Sequence, residues 1–195
     1  MDFRILGPLE ALDGGQRITL GGSKMRAVLA LLLLHPNETV SSDRLIEELW
    51  GEEPPATAAK ALQVHVSRLR KALADSSGSG GADMVVTRAH GYQLQLELEQ
   101  LDAHRFERLL AEGRSELAAN SPERALPALE EAVSLWRGPP LADLAYEPFV
   151  QAETARLDDL RVAAFEQLVE AKLALGRHVE AVSYTHLTLP TTPYV

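Results

Sequence analysis

The stretch that decides the fold lies at residues 56–74 and reads ATAAKALQVHVSRLRKALA. Its large apolar residues recur at helical spacing (i, i+4, i+7 and i+11) and form one stripe, which consists of Leu62, Val66, Leu69 and Leu73. The same stretch holds four basic residues and no acidic one, and these are Lys60, Arg68, Arg70 and Lys71. This pattern predicts an amphipathic helix that packs one side on a core and presents cations on the other.

The distribution of charge along the chain decides whether such a helix is able to meet a polyanion, because the net charge of the whole chain is −9. Residues 1–95 hold 10 Lys and Arg against 11 Asp and Glu, whereas residues 96–182 hold 9 against 17. Residues 183–195 hold no charged side chain. The excess acid therefore lies in the second half. Screening beyond about 8–10 Å leaves a locally basic helix able to attract phosphates.

The residues that precede the basic helix predict strands and two more helices. Alternating apolar residues on both sides of Asp13-Gly14-Gly15 predict a β-hairpin or short meander. A strongly apolar helix follows from Ser23 to about His35, and Pro36-Asn37 ends it. A second helix is capped by Ser41 or Ser42 and runs to Trp50.

The residues that follow the basic helix, itself predicted over residues 57–74, indicate a loop and a hairpin. Residues 75–83 form a Gly/Ser-rich loop, and residues 84–88 and 92–96 are the two strands of the hairpin. Strands, three helices and a hairpin, in this order, suit a helix-turn-helix domain with a β-wing.

The second segment, residues 99–182, is predicted to be helical throughout. One amphipathic helix begins near Phe106, a second begins at Ser121-Pro122, and a long one spans about residues 148–175. Paired amphipathic helices predict a tetratricopeptide-like bundle, although no clean repeat of about 34 residues is present. We therefore predict a mainly α fold with small β-sheets, in which a winged helix-turn-helix domain (residues 1–98) precedes a helical bundle (residues 99–182).

The last stretch, residues 183–195, differs in composition from everything before it. It is uncharged, contains several Thr and Pro residues, and has no helical period. It interrupts the helix that begins near His178, so we interpret it as a non-native tail. A natural disordered tail is the alternative.

The rest of the composition argues against other classes of protein. The chain has no cysteine, which excludes a disulfide framework and thiolate metal sites. Its longest apolar run, residues 27–34, is far shorter than the roughly 20 residues that span a bilayer, and the N-terminus does not have the pattern of a secretory signal. Phosphate-binding glycine loops, zinc-protease motifs and nucleophile elbows are absent. We therefore predict a cytoplasmic protein that is not an enzyme and needs no cofactor or metal.

Three stretches of the first half carry a resemblance to a known family. Residues 31–37 (LLLLHPN), 40–51 (VSSDRLIEELWG) and 62–73 (LQVHVSRLRKAL) resemble the OmpR-type winged helix, and more narrowly that of the Streptomyces antibiotic regulatory protein family. Residues 85–92 (VVTRAHGY) are similar to that family's wing.

The second half resembles the same family. Residues 101–107 (LDAHRFE), 135–143 (LWRGPPLAD) and 171–178 (AKLALGRH) are similar to the bacterial transcriptional activator domain. The resemblance covers residues 1–182. The domain of that family continues for several more helices, so we expect the activator domain here to be shortened.

The resemblance implies which residues read DNA. It places Gln63, Val64, Ser67 and Arg68 at base edges in the major groove, where Gln pairs with adenine, Arg with guanine, and Val contacts a thymine methyl. Lys60, Arg70 and Lys71 are expected to neutralise phosphates.

The same resemblance assigns roles at the wing. Arg88 is expected in or along the minor groove, and Gly91 is expected to permit a tight turn. Tyr92 either packs in the core or contacts a phosphate.

Several other residues keep a structural alternative. Ser23, Lys24 and Arg26 are candidates for phosphate contacts, although Ser23 is equally well explained as a helix cap. His65 is expected to be a packed histidine, and Trp50 and Trp136 to be core anchors.

The expected function is that of a transcription activator of the Streptomyces antibiotic regulatory protein type. By the resemblance, its partners are double-stranded promoter DNA, bound as two copies on direct repeats, and RNA polymerase; a homodimer on DNA is possible, and no membrane is involved. The alternative is a helical adaptor whose winged helix binds protein.

Overall fold

The structure, a computed structural model, describes residues 1–77 and 81–178. Our interpretation of residues 183–195 as a tail, and of residues 179–182 as the start of a helix, lies outside the described residues. Contacts group the described chain into two units. The N-terminal unit comprises Met1–Ala103 and Gly138–Ala155, and the C-terminal unit comprises His104–Arg137 and residues 156–178.

The N-terminal unit begins with a three-stranded antiparallel meander, as predicted. Its strands are β1 (Asp2–Arg4), β2 (Glu10–Asp13) and β3 (Gln16–Arg17), in the order β1-β2-β3. Gly14 and Gly15 join β2 to β3 with φ values of 53° and 83°. Two consecutive left-handed residues are what a type I′ hairpin turn requires, and glycine adopts them without steric cost.

Three helices follow the meander and pack on one another: α1 (Ser23–Leu33), α2 (Ser42–Trp50) and α3 (Ala58–Ser77). Ser41 caps α2, because its hydroxyl accepts the backbone N–H of Arg44 at 3.1 Å. Helix α3 extends three residues beyond the predicted end at residue 74, and residues 78–80 of the predicted loop lie outside the described residues. Helical hydrogen bonding continues through Asp75, Ser76 and Ser77 because none of these residues breaks a helix as Gly or Pro does.

A second sheet completes the winged helix, and here the prediction was incomplete. Strands β5 (Val85–Arg88) and β6 (Gly91–Leu94) form the predicted hairpin, but β6 also pairs with β4 (Val40–Ser41). The sheet order is therefore β4-β6-β5. The short strand between α1 and α2 anchors the wing to the helical core.

The N-terminal unit also contains a segment far away in the sequence, residues 138–155. Asp143 accepts the backbone N–H of Leu9 at 2.7 Å and the Nε–H of Arg26 at 2.8 Å. The backbone N–H of Leu141 donates to the carbonyl of Ile5 at 3.0 Å. The predicted boundary at residue 98 therefore does not coincide with the division between the two units, because these long-range bonds attach residues 138–155 to the N-terminal sheet.

The C-terminal unit is built from α4 (Asp102–Ala118), α5 (Pro122–Ser134) and most of α6 (Pro148–Ala174). Helices α4 and α5 come close at Gly113, where an added Cβ would lie 2.5 Å from the Leu129 side chain. The rings of Phe106 and Trp136 meet edge to face, with centroids 5.2 Å apart. The prediction of a helical second domain is confirmed, and Trp136 packs as a structural residue.

Candidate nucleic-acid interface

Helix α3 presents a continuous exposed face. The face is made of six exposed side chains at spacings of i, i+3, i+4, i+7, i+8 and i+11, which are Lys60, Gln63, Val64, Ser67, Arg68 and Lys71. Val64 is 41% exposed, which is unusual for a large apolar residue. All four residues predicted to lie at base edges therefore share one surface with two of the three predicted phosphate contacts.

The opposite side of α3 holds the helix in place. Leu62, Val66, Leu69 and Leu73 are each at most 1% exposed, and α3 packs against both α1 and α2. Burial of four such side chains contributes roughly 6–12 kcal/mol before entropy is counted. The exposed face is therefore carried by a rigid element rather than by a loop.

The cations of this face lack acidic partners within the described part of the chain. Among the described residues, no carboxylate forms an ion pair with Lys60, Arg68 or Lys71. Two cations elsewhere in the N-terminal unit are neutralised, since Arg17 pairs with Glu10 and Arg26 pairs with Asp143. The charge of the α3 face is therefore available to an external anion.

Arg70 is placed differently from the other cations of α3. It is half-buried, its Nε–H donates to the carbonyl of Val85 at 2.7 Å, and a terminal N–H donates to the hydroxyl of Thr87 at 2.8 Å. Its guanidinium carbon also lies 6.0 Å from the ring centroid of Tyr92. These contacts join α3 to the wing, so Arg70 has a structural role. Its contact with a phosphate stays a prediction.

The wing itself holds Arg88 and Tyr92 in contrasting environments. Arg88 is exposed, and its Nε–H donates to the side-chain oxygen of Gln93 at 2.7 Å. Gln93 in turn donates to the backbone carbonyl of Asn37. Tyr92 is only 8% exposed, which favours the packing alternative for this residue. Arg88 is thus exposed and hydrogen-bonded to Gln93, and its contact with the minor groove stays a prediction.

Gly91 serves the wing in another way than the sequence indicated. Its φ is not in the left-handed region, so the turn does not demand glycine there. Instead, a Cβ at this position would lie 1.9 Å from the carbonyl oxygen of Val40. Glycine is needed because β6 pairs with β4 at this point, with Ser41 opposite Gly91, and the close approach of the two backbones leaves no room for a side chain.

The first turn of α1 corrects one expectation. Ser23 is not the cap of this helix, because the N-cap is Gly22, with no side-chain cap bond. Arg26 donates to the carboxylate of Asp143 and to the carbonyl of Leu9, so it has a structural role, and its phosphate contact stays a prediction. Lys24 donates to the carbonyl of Leu49, the last turn of α2.

His65 is half-buried at the side of the exposed face, in agreement with its expected packing. Its ring lies 6.3 Å from that of Trp50, at an angle of 39°. Burial lowers the pKa of His65 below the ordinary value of 6.5, and the neighbouring cations Arg68 and Lys24 lower it further. The imidazole is therefore neutral at neutral pH in the free protein.

Sequence reasoning missed three supporting side chains: Asn37, Thr87 and Gln93. Asn37 has a φ of 62°, and its side chain bonds both the N–H and the C=O of Leu96. Asparagine is the residue that best tolerates this left-handed conformation after glycine. The position of Asn37 directly after Pro36 was the one indication in the sequence of a special backbone conformation. The hydrogen-bond partners of Asn37, Thr87 and Gln93 could be identified only from the three-dimensional structure.

Removal of the Arg70 guanidinium tests its structural role. We expect Arg70→Met to lower the free energy of unfolding by about 2 kcal/mol, because it leaves the Val85 carbonyl without its charged donor. Thermal or urea unfolding measures the loss. The matched control is Lys71→Met, which is one residue away and exposed; its stability should change by less than about 0.5 kcal/mol. An Arg70→Met variant as stable as the control would contradict the structural role.

Neither a membrane span nor a metal cluster is found in residues 1–77 and 81–178. No helix there is long and apolar enough to cross a membrane. No group of three or more His, Cys, Asp or Glu side chains there is arranged to hold a metal ion.

Comparison with protein-family models gives two matches. Residues 15–94 match the family "Transcriptional regulatory protein, C terminal", and residues 101–194 match "Bacterial transcriptional activator domain". The two matches follow the order of the winged helix and the helical segment.

Curated relatives and a solved structure agree with these matches. The chain is 35% identical to Transcriptional regulatory protein MoaR1 of Mycobacterium tuberculosis, over 91% of the chain and 57% of MoaR1. It is 34% identical to Regulatory protein DnrI of Streptomyces peucetius, over 91% of the chain and 67% of DnrI. The structure of Mycobacterium tuberculosis EmbR in complex with a low affinity phosphopeptide superposes with a TM-score of 0.87 at 34% identity, covering 95% of this chain and 50% of EmbR.

The winged helix, followed by a helical domain, defines a transcription regulator with an OmpR-type winged helix and a bacterial transcriptional activator domain. The chain belongs to the Streptomyces antibiotic regulatory protein family. It spans little more than half the length of MoaR1 and about half that of EmbR.

Proposed function

We propose that the protein binds promoter DNA in a sequence-specific manner, with α3 in the major groove and the β5–β6 hairpin at the adjacent minor groove. The observation that carries this proposal is the six-residue exposed face of α3, which combines cations with side chains suited to base edges. From Lys60 to Lys71 it extends over about 16 Å, the length of roughly five base pairs.

The composition of the face suits two kinds of contact, to base edges and to phosphates. Gln63, Ser67 and Arg68 offer hydrogen bonds to base edges, and Val64 offers an apolar contact to a thymine methyl group. Lys60 and Lys71 lie at the two ends of the face, where they would meet phosphates on either side of the groove and fix the register. Arg88 extends the contact to the wing.

Activation is the second part of the proposal. The helical second segment matches a bacterial transcriptional activator domain, and this supports recruitment of RNA polymerase by residues beyond the winged helix. Two copies on direct repeats, acting in the cytoplasm, are the arrangement that the family implies. Transcription with purified RNA polymerase tests both features, from promoters that carry one or two copies of the site recovered by selection from random-sequence DNA. No increase in transcription when the protein is added would contradict activation. Equal increases from one and from two copies would contradict the two-copy arrangement.

Arg68→Ala tests direct readout. We expect selection from random-sequence DNA with the wild-type protein to recover a common motif, and Arg68→Ala to relax one position of it. A bidentate Arg–guanine contact is worth about 1–3 kcal/mol, so affinity for the motif should fall roughly 5- to 150-fold.

Lys71→Ala is the matched control, because it lies on the same face. It should weaken binding to all sequences alike and leave the motif unchanged. A uniform loss in Arg68→Ala would reassign Arg68 to a phosphate. Failure of the wild-type chain to enrich any motif would contradict sequence-specific binding, and an adaptor that binds protein would then be the better account.

A further inference from the structure

A pocket lies beside the proposed recognition face, between the first turn of α1 and the middle of α3. Its volume is about 250 Å³, and it is lined by residues 21–25, His65 and Arg68. The side chains that give it chemical character are Lys24, His65 and Arg68, two cations and one titratable imidazole. None of the lining residues is a carboxylate.

Three helices converge on His65, and each contributes a defined group. Helix α1 brings the ammonium of Lys24, α2 brings the ring of Trp50, and α3 itself brings the guanidinium of Arg68. The two charged side chains that shift the pKa of His65, Lys24 and Arg68, are thus both cationic. Lys24 is partly compensated, since it donates to the carbonyl of Leu49 and lies 4.0 Å from Glu147.

The position of the pocket identifies an anion that would reach it. Arg68 belongs both to the pocket and to the exposed face of α3, so a strand that lies along that face passes the mouth of the pocket. The phosphates of such a strand are the nearest anions, and a partly enclosed cationic pocket binds a phosphate more strongly than an open surface does.

We propose that this pocket receives one phosphate of the bound DNA and that His65 takes up a proton when it does, which makes DNA affinity dependent on pH. The inference rests on the proposed function, because it needs DNA on the α3 face. It adds a regulatory property, in that the protein binds DNA more tightly as the pH falls.

The direction of the pH dependence of DNA affinity follows from the linkage between proton binding and DNA binding. In the free protein, burial and two cations hold the pKa of His65 below 6.5. A phosphate in the pocket favours the imidazolium and raises the pKa in the complex. Affinity therefore increases as the pH falls through the pKa of the complex, and levels off below the pKa of the free protein. Each unit between the two values is worth tenfold in affinity.

Folding stability changes in the opposite direction over the same range. The pKa of His65 is lower in the folded protein than its ordinary value, so its contribution to stability is fully present above 6.5 and is lost as the pH falls toward the folded value. Tighter binding at low pH is therefore not a by-product of a more stable fold. Circular dichroism at each pH checks that the chain remains folded.

The experiment measures the affinity of the wild-type chain for the duplex recovered by selection, at about pH 8 and about pH 6, each over a range of salt concentrations. We expect roughly tenfold tighter binding at the lower pH, and a salt slope steeper by about 0.9, the value for one additional phosphate contact. His65→Gln should remove both differences, whereas His65→Arg should show the steeper slope at both values.

The control is His178→Gln, which is exposed and belongs to the C-terminal unit, and it should behave as the wild type does. Equal pH dependence in His65→Gln and wild type would overturn the inference and leave the proposed function intact. No binding to any DNA at either pH would overturn both. Should His65→Gln fail to fold, NMR titration of the wild-type imidazoles decides: a His65 pKa equal or lower in the complex overturns the proposal.

Discussion

Gly91→Ala is expected to separate the wing from the strand that anchors it and to lower the free energy of unfolding by about 3 kcal/mol. The added Cβ would lie 1.9 Å from the Val40 carbonyl oxygen and 2.8 Å from the Cα of Ser41. Both are backbone atoms, so no side-chain rotation relieves the overlap, and the strands must move apart. Overpacking of this kind costs about 1–3 kcal/mol, and backbone clashes lie at the upper end.

The consequence extends from stability to DNA binding. Strand β4 pairs with β6 through Val40 and Ser41, and the N–H of Ser42 donates to the carbonyl of His90 at 2.8 Å. Displacement of β6 therefore disturbs the start of α2 as well as the position of Arg88. We expect a fall of roughly 6–12 °C in melting temperature together with weaker DNA binding.

Gly138→Ala is the matched control for this experiment. A Cβ at Gly138 meets no atom within 4 Å, and its φ is outside the left-handed region. Its melting temperature should stay within about 2 °C of the wild type. A Gly91→Ala variant as stable as Gly138→Ala would contradict the close approach of β6 to β4.

Asp102→Ala is expected to have an effect on stability comparable to that of Gly91→Ala. Asp102 is only 4% exposed, and its two carboxylate oxygens accept the backbone N–H groups of Ile5 at 2.7 Å and Leu6 at 3.1 Å. Alanine leaves both buried donors without these acceptors. Each unsatisfied group costs about 1–3 kcal/mol, so the total loss should be about 3–4 kcal/mol.

Two further variants separate this effect from a general loss of charge. Asp102→Asn keeps one carbonyl oxygen and should lose about half as much stability, since its NH₂ group faces a donor. Asp83→Ala removes an exposed carboxylate and should change stability by less than about 0.5 kcal/mol. Urea unfolding of the three variants measures the order, and equal stability of Asp102→Ala and Asp83→Ala would contradict the role of Asp102.

The elements of the winged helix that depend on local periodicity were predictable from the sequence. The spacing of Leu62, Val66, Leu69 and Leu73 placed α3 within a few residues, because a one-sided apolar stripe fits only a helix of that register. Asp13-Gly14-Gly15 predicted the turn between β2 and β3, because two consecutive left-handed residues favour glycine.

The features that depend on long-range contacts were not predictable. Pairing of β4 with β6 joins residues about fifty positions apart, and strands of two to four residues carry too little pattern to name their partner. Attachment of residues 138–155 to the N-terminal unit involves Asp143, whose carboxylate accepts N–H groups of Leu9 and Arg26. A single exposed-looking Asp between Pro-rich and aromatic residues gives no sign of those partners.

In the candidate site, too, the features that depend on local periodicity were predictable and those that depend on long-range contacts were not. The exposed positions of α3 follow from its buried ones, so the face from Lys60 to Lys71 was predictable once the stripe was recognised. Arg70 lies between the stripe and the face, and periodicity does not decide whether it turns toward solvent or toward the wing. Its bonds to Val85 and Thr87 decide it in the structure.

The central claim is that α3 and the wing hold the phosphates and bases of duplex DNA, and the salt dependence of binding tests it most directly. The affinity of the wild-type chain for the selected duplex should be measured over increasing salt concentration. Phosphate contacts by Lys60 and Lys71, together with the cation that Arg88 places at the minor groove, predict that log affinity falls linearly with log salt, with a slope of about −3. A slope near zero, or the absence of binding at low salt, would contradict the account.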